Sequence, residues 1–224
     1  MLAEEHIMIC FFDIYLTSGE CFFLEDNMKK TEVLVEISIF AALGWILDFI
    51  QGLYSDFIPF LANGGSIGIA MIAVIIISLR RGTKAGLATG LILGILDAID
   101  GNMWISPLVN TWYGALLQIC FDYIFAWMVV GLAGLFRNKV LNNRGKKRVL
   151  YIVLACLIGA FGKYMFHFLS GVFFWEVPEN IKMVKFIYSM LYNLLYIGPS
   201  FILCSLVLSI IDHKQETIIS GVGR

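Results

Sequence analysis

Near the end of a long apolar run, GKYMFHFLSGVFFW (162–175), four residues recur at one interval: Lys163, His167, Gly171 and Trp175. Positions four apart share a face of an α-helix, so ammonium, imidazole and indole form one stripe, with the glycine leaving a gap between the two rings. A carboxylate, Asp122, stands in an equally apolar stretch, LLQICFDYIFAW, and is followed by Tyr123. A third stretch carries Tyr188, Tyr192 and Tyr196 at the same spacing. There Asn193 lies about 140° from Tyr188 around an ideal helix, so one flat ligand reaches both only if the pocket wraps that helix end or the helix is distorted near Gly198 and Pro199. Such groups suit a small, flat, cationic molecule. The carboxylate supplies countercharge, the amide and hydroxyls orient the ligand, and the rings stack on it.

The segments that must hold these groups are membrane spans. The 224 residues are 59% hydrophobic and 15% charged, with a mean hydropathy of +0.84, outside the balance of a soluble domain. A formal net charge of −1 argues against nucleic-acid binding. Five cysteines are scattered without CxxC or Cys/His spacing, which predicts no metal site; Cys120, Cys156 and Cys204 read as small apolar packers, and no cofactor is expected. About twenty apolar residues cross a bilayer. Six candidate spans result, near 32–51, 66–80, 83–100, 111–136, 148–174 and 184–211. The expected fold is all-α, a polytopic membrane protein forming a six-transmembrane-helix bundle. Residues 28–214 make the membrane domain and 215–224 a cytoplasmic tail. Residues 1–27, interrupted by Glu4, Glu5, Asp13 and Glu20, read as an N-terminal extension. MKKTEVLVEI from Met28 has the look of a start, and the alternative is an interfacial segment.

Lysines and arginines at 29–30, 80–84 and 137–148 fall on one side of these spans, whereas the opposite loops hold Asp56, Asp100, Glu176 and Glu179, with Lys182 and Lys185 the exceptions. Positive charge stays cytoplasmic, so both termini are expected inside. On a rise of about 1.5 Å per residue, His167 lies about 12 Å, Lys163 about 18 Å, Asp122 about 16 Å, Tyr188 about 6 Å and Asn193 about 13 Å below the outer ends of their spans. Singly, each has an ordinary explanation: Asp122 and Lys163 as an ion pair between spans, Trp175 as an interfacial aromatic, His167 as packing. Their shared depth on three helices points to a pocket in the outer half, because buried ionisable groups in spans face the bundle interior or a ligand.

SLRRGTKAGLATGLILGIL (78–96), GLAGLFR (131–137), KYMFHFLSGVFFW (163–175) and YSMLYN (188–193) together resemble the thiamine-specific S components, the ThiT family, of energy-coupling factor (ECF) vitamin importers. The resemblance covers about Met28 to Lys214. It implies that Trp175 stacks on the aminopyrimidine, that His167 lies beside the thiazolium with Gly171 giving room, and that Asp122 pairs with the vitamin's polar edge or charge. Tyr123, Tyr188 and Asn193 match further contacts, and Lys163 either pairs with Asp122 or binds a ligand oxygen. The loop after span one keeps a GGS but lacks a tryptophan that some members carry, so Tyr54, Phe57 or Phe60 stands in for it. The longer loop between spans three and four offers Trp104. Where the family has two alanines four apart on span one, this chain has Ser38 and Ala42, still small enough for another helix to approach. The implied partners are thiamine, an ECF transmembrane coupling protein, two ABC ATPases and membrane lipid, in a prokaryotic plasma membrane.

The chain has no GxxxxGK[ST] loop, so ATP hydrolysis by that route belongs to other subunits. Alternatives are an S component for another vitamin or thiamine precursor, and a stand-alone ion-coupled transporter. An intramembrane enzyme has Asp122 and His167 in its favour, but there is no partnered aspartate motif, GxSxG or HExxH.

Overall fold

The computed structural model describes residues 30–54, 57–58, 61, 65–99, 105–179 and 181–221. Two compact units make up the chain, Met1–Glu36 and Ile37–Arg224. Of the first, residues 30–36 are described and are helical; the second carries the rest of the described residues. The expected extension 1–27 lies outside the described residues.

The elements are helices throughout the described residues: α1 (Lys30–Tyr54), α2 (Met71–Arg81), α3 (Thr83–Ile99), α4 (Trp112–Asn142), α5 (Gly145–Phe174), α6 (Lys185–Lys214) and a short α7 (Glu216–Ser220). By length and apolar content α1, α4, α5 and α6 can each cross a membrane. Their outward positions are apolar, including Leu157 and Phe161 on α5 and Ile202, Leu206 and Ile210 on α6, which is the surface a lipid solvent requires.

Helix α2 has only 11 residues, and Met71 to Leu79 are all buried. The sequence places span two from 66, but the chain stays irregular from 65 to 70. Non-helical backbone survives at membrane depth only where protein satisfies it. Here Ser200 Oγ accepts from Gly68 N at 3.0 Å, and Gln51 Oε1 accepts from Ala70 N at 3.3 Å. Gly65 has φ +89°, and a Cβ there would meet the Tyr196 ring.

Glycines set the α3–α4 contact. Gly86, Gly90 and Gly94, one turn apart, face Gly131, the Trp127–Met128 backbone and the Tyr123–Ile124 backbone respectively; a Cβ on Gly94 would lie 2.7 Å from Tyr123 O. This is the small-residue packing that lets membrane helices touch backbone to backbone. Helix α4 is not regular: Cys120–Phe125 form a π-helical turn and Val129–Phe136 a 3₁₀ stretch. Phe121 and Phe125 of the π turn each lie 5.6 Å from the Phe166 ring of α5, clamping the turn from the other side. Such insertions re-aim side chains and recur at functional sites.

At the basic end Arg148, 3% exposed, binds Asp212, and Arg80 donates to Ile218 O at 2.9 Å. The expected tail from 215 therefore contains a folded helix, α7, whose Ile219 is fully buried.

Candidate functional site

The π turn projects Asp122 into a cavity of about 770 Å³ lined by residues of α1, α3, α4, α5 and α6 and the 65–70 segment. Three groups converge on the carboxylate. Trp175 Nε1 and Gln118 Nε2 both donate to Oδ2 at 3.3 Å, and His167 Nδ1 lies 3.5 Å from Oδ1. Gln118 is itself fixed, its Oε1 accepting from Ser106 N at 3.0 Å. Gln118 lies one turn before Asp122 on the same helix face, a spacing that identifies it as the acid's partner.

His167 turns its other nitrogen, Nε2, into a buried position with no hydrogen-bond partner among the described residues. A buried ring nitrogen without a partner is costly unless a ligand or water engages it. The His167 ring packs edge-on against Tyr196, 5.9 Å away at 79°, so its orientation is held while that nitrogen stays available.

Asp122, Tyr123, Lys163, His167, Gly171, Trp175, Tyr188 and Asn193 all line this one cavity. Trp175 sits just past the last turn of α5 in extended backbone rather than on the helix. Tyr188 and Asn193 reach the same space because the cavity wraps the end of α6, which runs unbroken through Pro199. Tyr188 stacks on Tyr192 at 5.6 Å. The Asn193 amide donates to Ser189 O at 2.8 Å and His167 O at 3.3 Å, while its carbonyl accepts from the Tyr196 hydroxyl. Asn193 thus ties α5 to α6 within the cavity wall.

Gly171 is explained differently from the expectation of room for a ligand ring. A Cβ there would collide with Ser189 Oγ on α6, so the glycine first serves the helix contact. Lys163 is seated on groups other than Asp122. Its Nζ lies 3.1 Å from the centroid of the Trp127 ring, and its electrostatic neighbours are Asp48 and Asp97. Tyr54 donates to Ile67 O and is not part of the lining, whereas Phe57 is 86% exposed. Trp104 and Phe60 lie outside the described residues. Ser38 and Ala42 are both exposed on α1.

Asp48, Asp97 and Trp127 belong to the lining but not to the residues that sequence reasoning singled out. Both acids fall within a turn of the outer ends of their predicted spans, where an acid passes for interfacial, and the predicted depth of Lys163, about 18 Å, gave no sign that they meet it.

A bundle of apolar-faced helices around a cavity of acid, amide and aromatic groups defines a multi-pass membrane protein built to hold a small molecule. The chain belongs to the Thiamine transporter protein family (Thia_YuaJ), whose profile matches residues 34–220. It is 34% identical over 190 residues to the thiamine transporter ThiT of Bacillus subtilis (strain 168), covering 83% of this chain and 93% of that one. It is 29% identical over 169 residues to ThiT of Lacticaseibacillus paracasei, covering 74% and 79%. A solved structure of ThiT from Listeria monocytogenes superposes with a TM-score of 0.72 at 24% identity over 86% of this chain and 99% of that chain, which establishes the shared helical fold.

Proposed function

We propose that this chain is the thiamine-binding S component of an ECF-type importer, capturing the vitamin from outside in the Asp122 cavity. The observation that carries the reading is the Asp122 carboxylate, held by Gln118 and Trp175 and facing His167 inside an aromatic-lined space. The family and its named relatives supply thiamine as the ligand. Thiamine joins an aminopyrimidine to a cationic thiazolium. An ionised carboxylate in a low-dielectric site attracts the cation, and the indole of Trp175 offers it a π face. His167 Nε2 is placed to meet a polar atom of the ligand, and Tyr188 and Tyr192 supply a second aromatic wall.

The relatives' names point to transport rather than catalysis. The basic end faces the cytoplasm by the distribution of lysine and arginine, which turns the cavity outward. Energy then comes from partner ATPases, and Ser38 and Ala42, exposed on α1, are the proposed docking positions for the coupling protein. The test is thiamine uptake by cells lacking their own thiamine importer. Expressed with a coupling protein and two ATPases the chain should support uptake, and a Walker-lysine substitution in those ATPases should abolish it. Full uptake in the absence of ATPases, collapsing with the proton gradient, would make the chain a stand-alone transporter.

A further inference from the structure

A lysine inside a site for a cation needs explanation, because a bare ammonium repels the ligand. At Lys163 the geometry provides one. Continuing the Gly86–Gly90–Gly94 stripe of α3 by a turn brings Asp97 to the same side, and its Oδ2 accepts from Trp127 Nε1 at 2.6 Å. Trp127 is 1% exposed, so this hydrogen bond fixes a ring with no freedom to turn. The ring face in turn seats the Lys163 ammonium. Asp97 and Asp48, hydrogen-bonded to each other, bring one shared negative charge to it from α3 and α1, so three helices meet at one ammonium.

We infer that Asp97 is a positioning residue of the cavity: through Trp127, and by the charge it shares with Asp48, it holds the Lys163 ammonium at the inner wall as a charge-compensated hydrogen-bond donor. The role rests on the cavity being the ligand site proposed above. A long, flexible lysine left without this seat would spread over many rotamers and leave a positive charge free to face the thiazolium. With Asp97 in place, the ammonium offers its N–H to a neutral acceptor on the ligand without opposing the cation.

The test is a double-mutant cycle on Asp97→Asn and Lys163→Met, read in purified full-length protein by thiamine titration calorimetry and, without ligand, by thermal unfolding. Asn keeps an acceptor for Trp127 and removes only the charge. Asp97→Asn should weaken thiamine binding by about tenfold when Lys163 is present and by no more than about twofold in the Lys163→Met background. Without ligand, Asp97→Asn should lower Tm alone but leave it unchanged or raise it in the Lys163→Met background, where no ammonium remains to compensate the buried charge of the acid pair. Equal losses of affinity in both backgrounds, or additive Tm shifts, overturn the role. A wild-type protein that binds no thiamine would sink the ligand reading, and the ligand-free cycle would then decide whether Asp97 holds Lys163.

Discussion

Arg148 and His167 stand on the same helix, α5, towards opposite ends of the bundle, and their surroundings differ in kind. Around Arg148 every direction is answered. Asp212 accepts from Nε at 2.8 and 2.9 Å, Val140 O from Nη1 at 3.0 Å, Ser220 Oγ from Nη2 at 3.0 Å, and Glu216 lies 3.1 Å from Nη1. Around His167 one nitrogen faces Asp122 and the other has no partner among the described residues. A closed network with all donors used is a fastening, whereas a buried network left open on one side is shaped for something that arrives. The difference separates two buried charged clusters that composition alone would treat as equal.

Breaking the closed end should cost stability and spare binding. Arg148→Ala leaves Asp212 buried without its partner, which costs about 3–5 kcal/mol; a sharply lowered Tm is expected, with thiamine affinity of the protein still folded unchanged. An unaltered Tm would show that the basic end is not the fastening described.

Breaking the open end should do the reverse. Trp175→Ala removes both an aromatic wall and a donor to Asp122, and thiamine affinity should fall by about 10- to 100-fold, equivalent to about 1.4–2.8 kcal/mol, with little change in Tm. Asp122→Asn keeps the shape and removes the charge. Affinity for thiamine should drop about tenfold, or about 1.4 kcal/mol, and affinity for an uncharged thiazole analogue should drop less. Equal losses for both ligands would reassign Asp122 to holding helices together. The smallest effect is expected at Tyr54, whose hydroxyl binds Ile67 O outside the cavity lining. Tyr54→Phe should change affinity by less than about twofold, in line with a single exposed hydrogen bond; a tenfold loss would place the tyrosine in the site.

The two regions were also unequally legible in the sequence. The Lys163, His167 and Gly171 stripe could be read because a regular helix converts spacing into direction, and α5 is regular over this stretch. Asp122 was recognisable by its apolar setting, but its aim was not, since that depends on a π turn created by packing against Gly94 on one side and Phe166 on the other. The true neighbours of Lys163 were hidden for a related reason. Asp48 and Asp97 come from helices distant in sequence and join it only once the α3 glycines let the backbones touch. At the basic end Arg148 read simply as part of a cytoplasmic charge run, because its partners Asp212 and Ser220 lie more than sixty residues away. Periodicity carried the direction of each helix. It carried nothing of the distortions and long-range pairings that complete both networks.

The most direct measurement is a titration of the purified protein in detergent with thiamine, followed by tryptophan fluorescence. Stacking of the vitamin on Trp175 should give saturable quenching at submicromolar thiamine in wild type and none in folded Trp175→Ala. Wild-type protein that is folded yet shows no quenching and no calorimetric binding would contradict the assignment of the Asp122 cavity to thiamine.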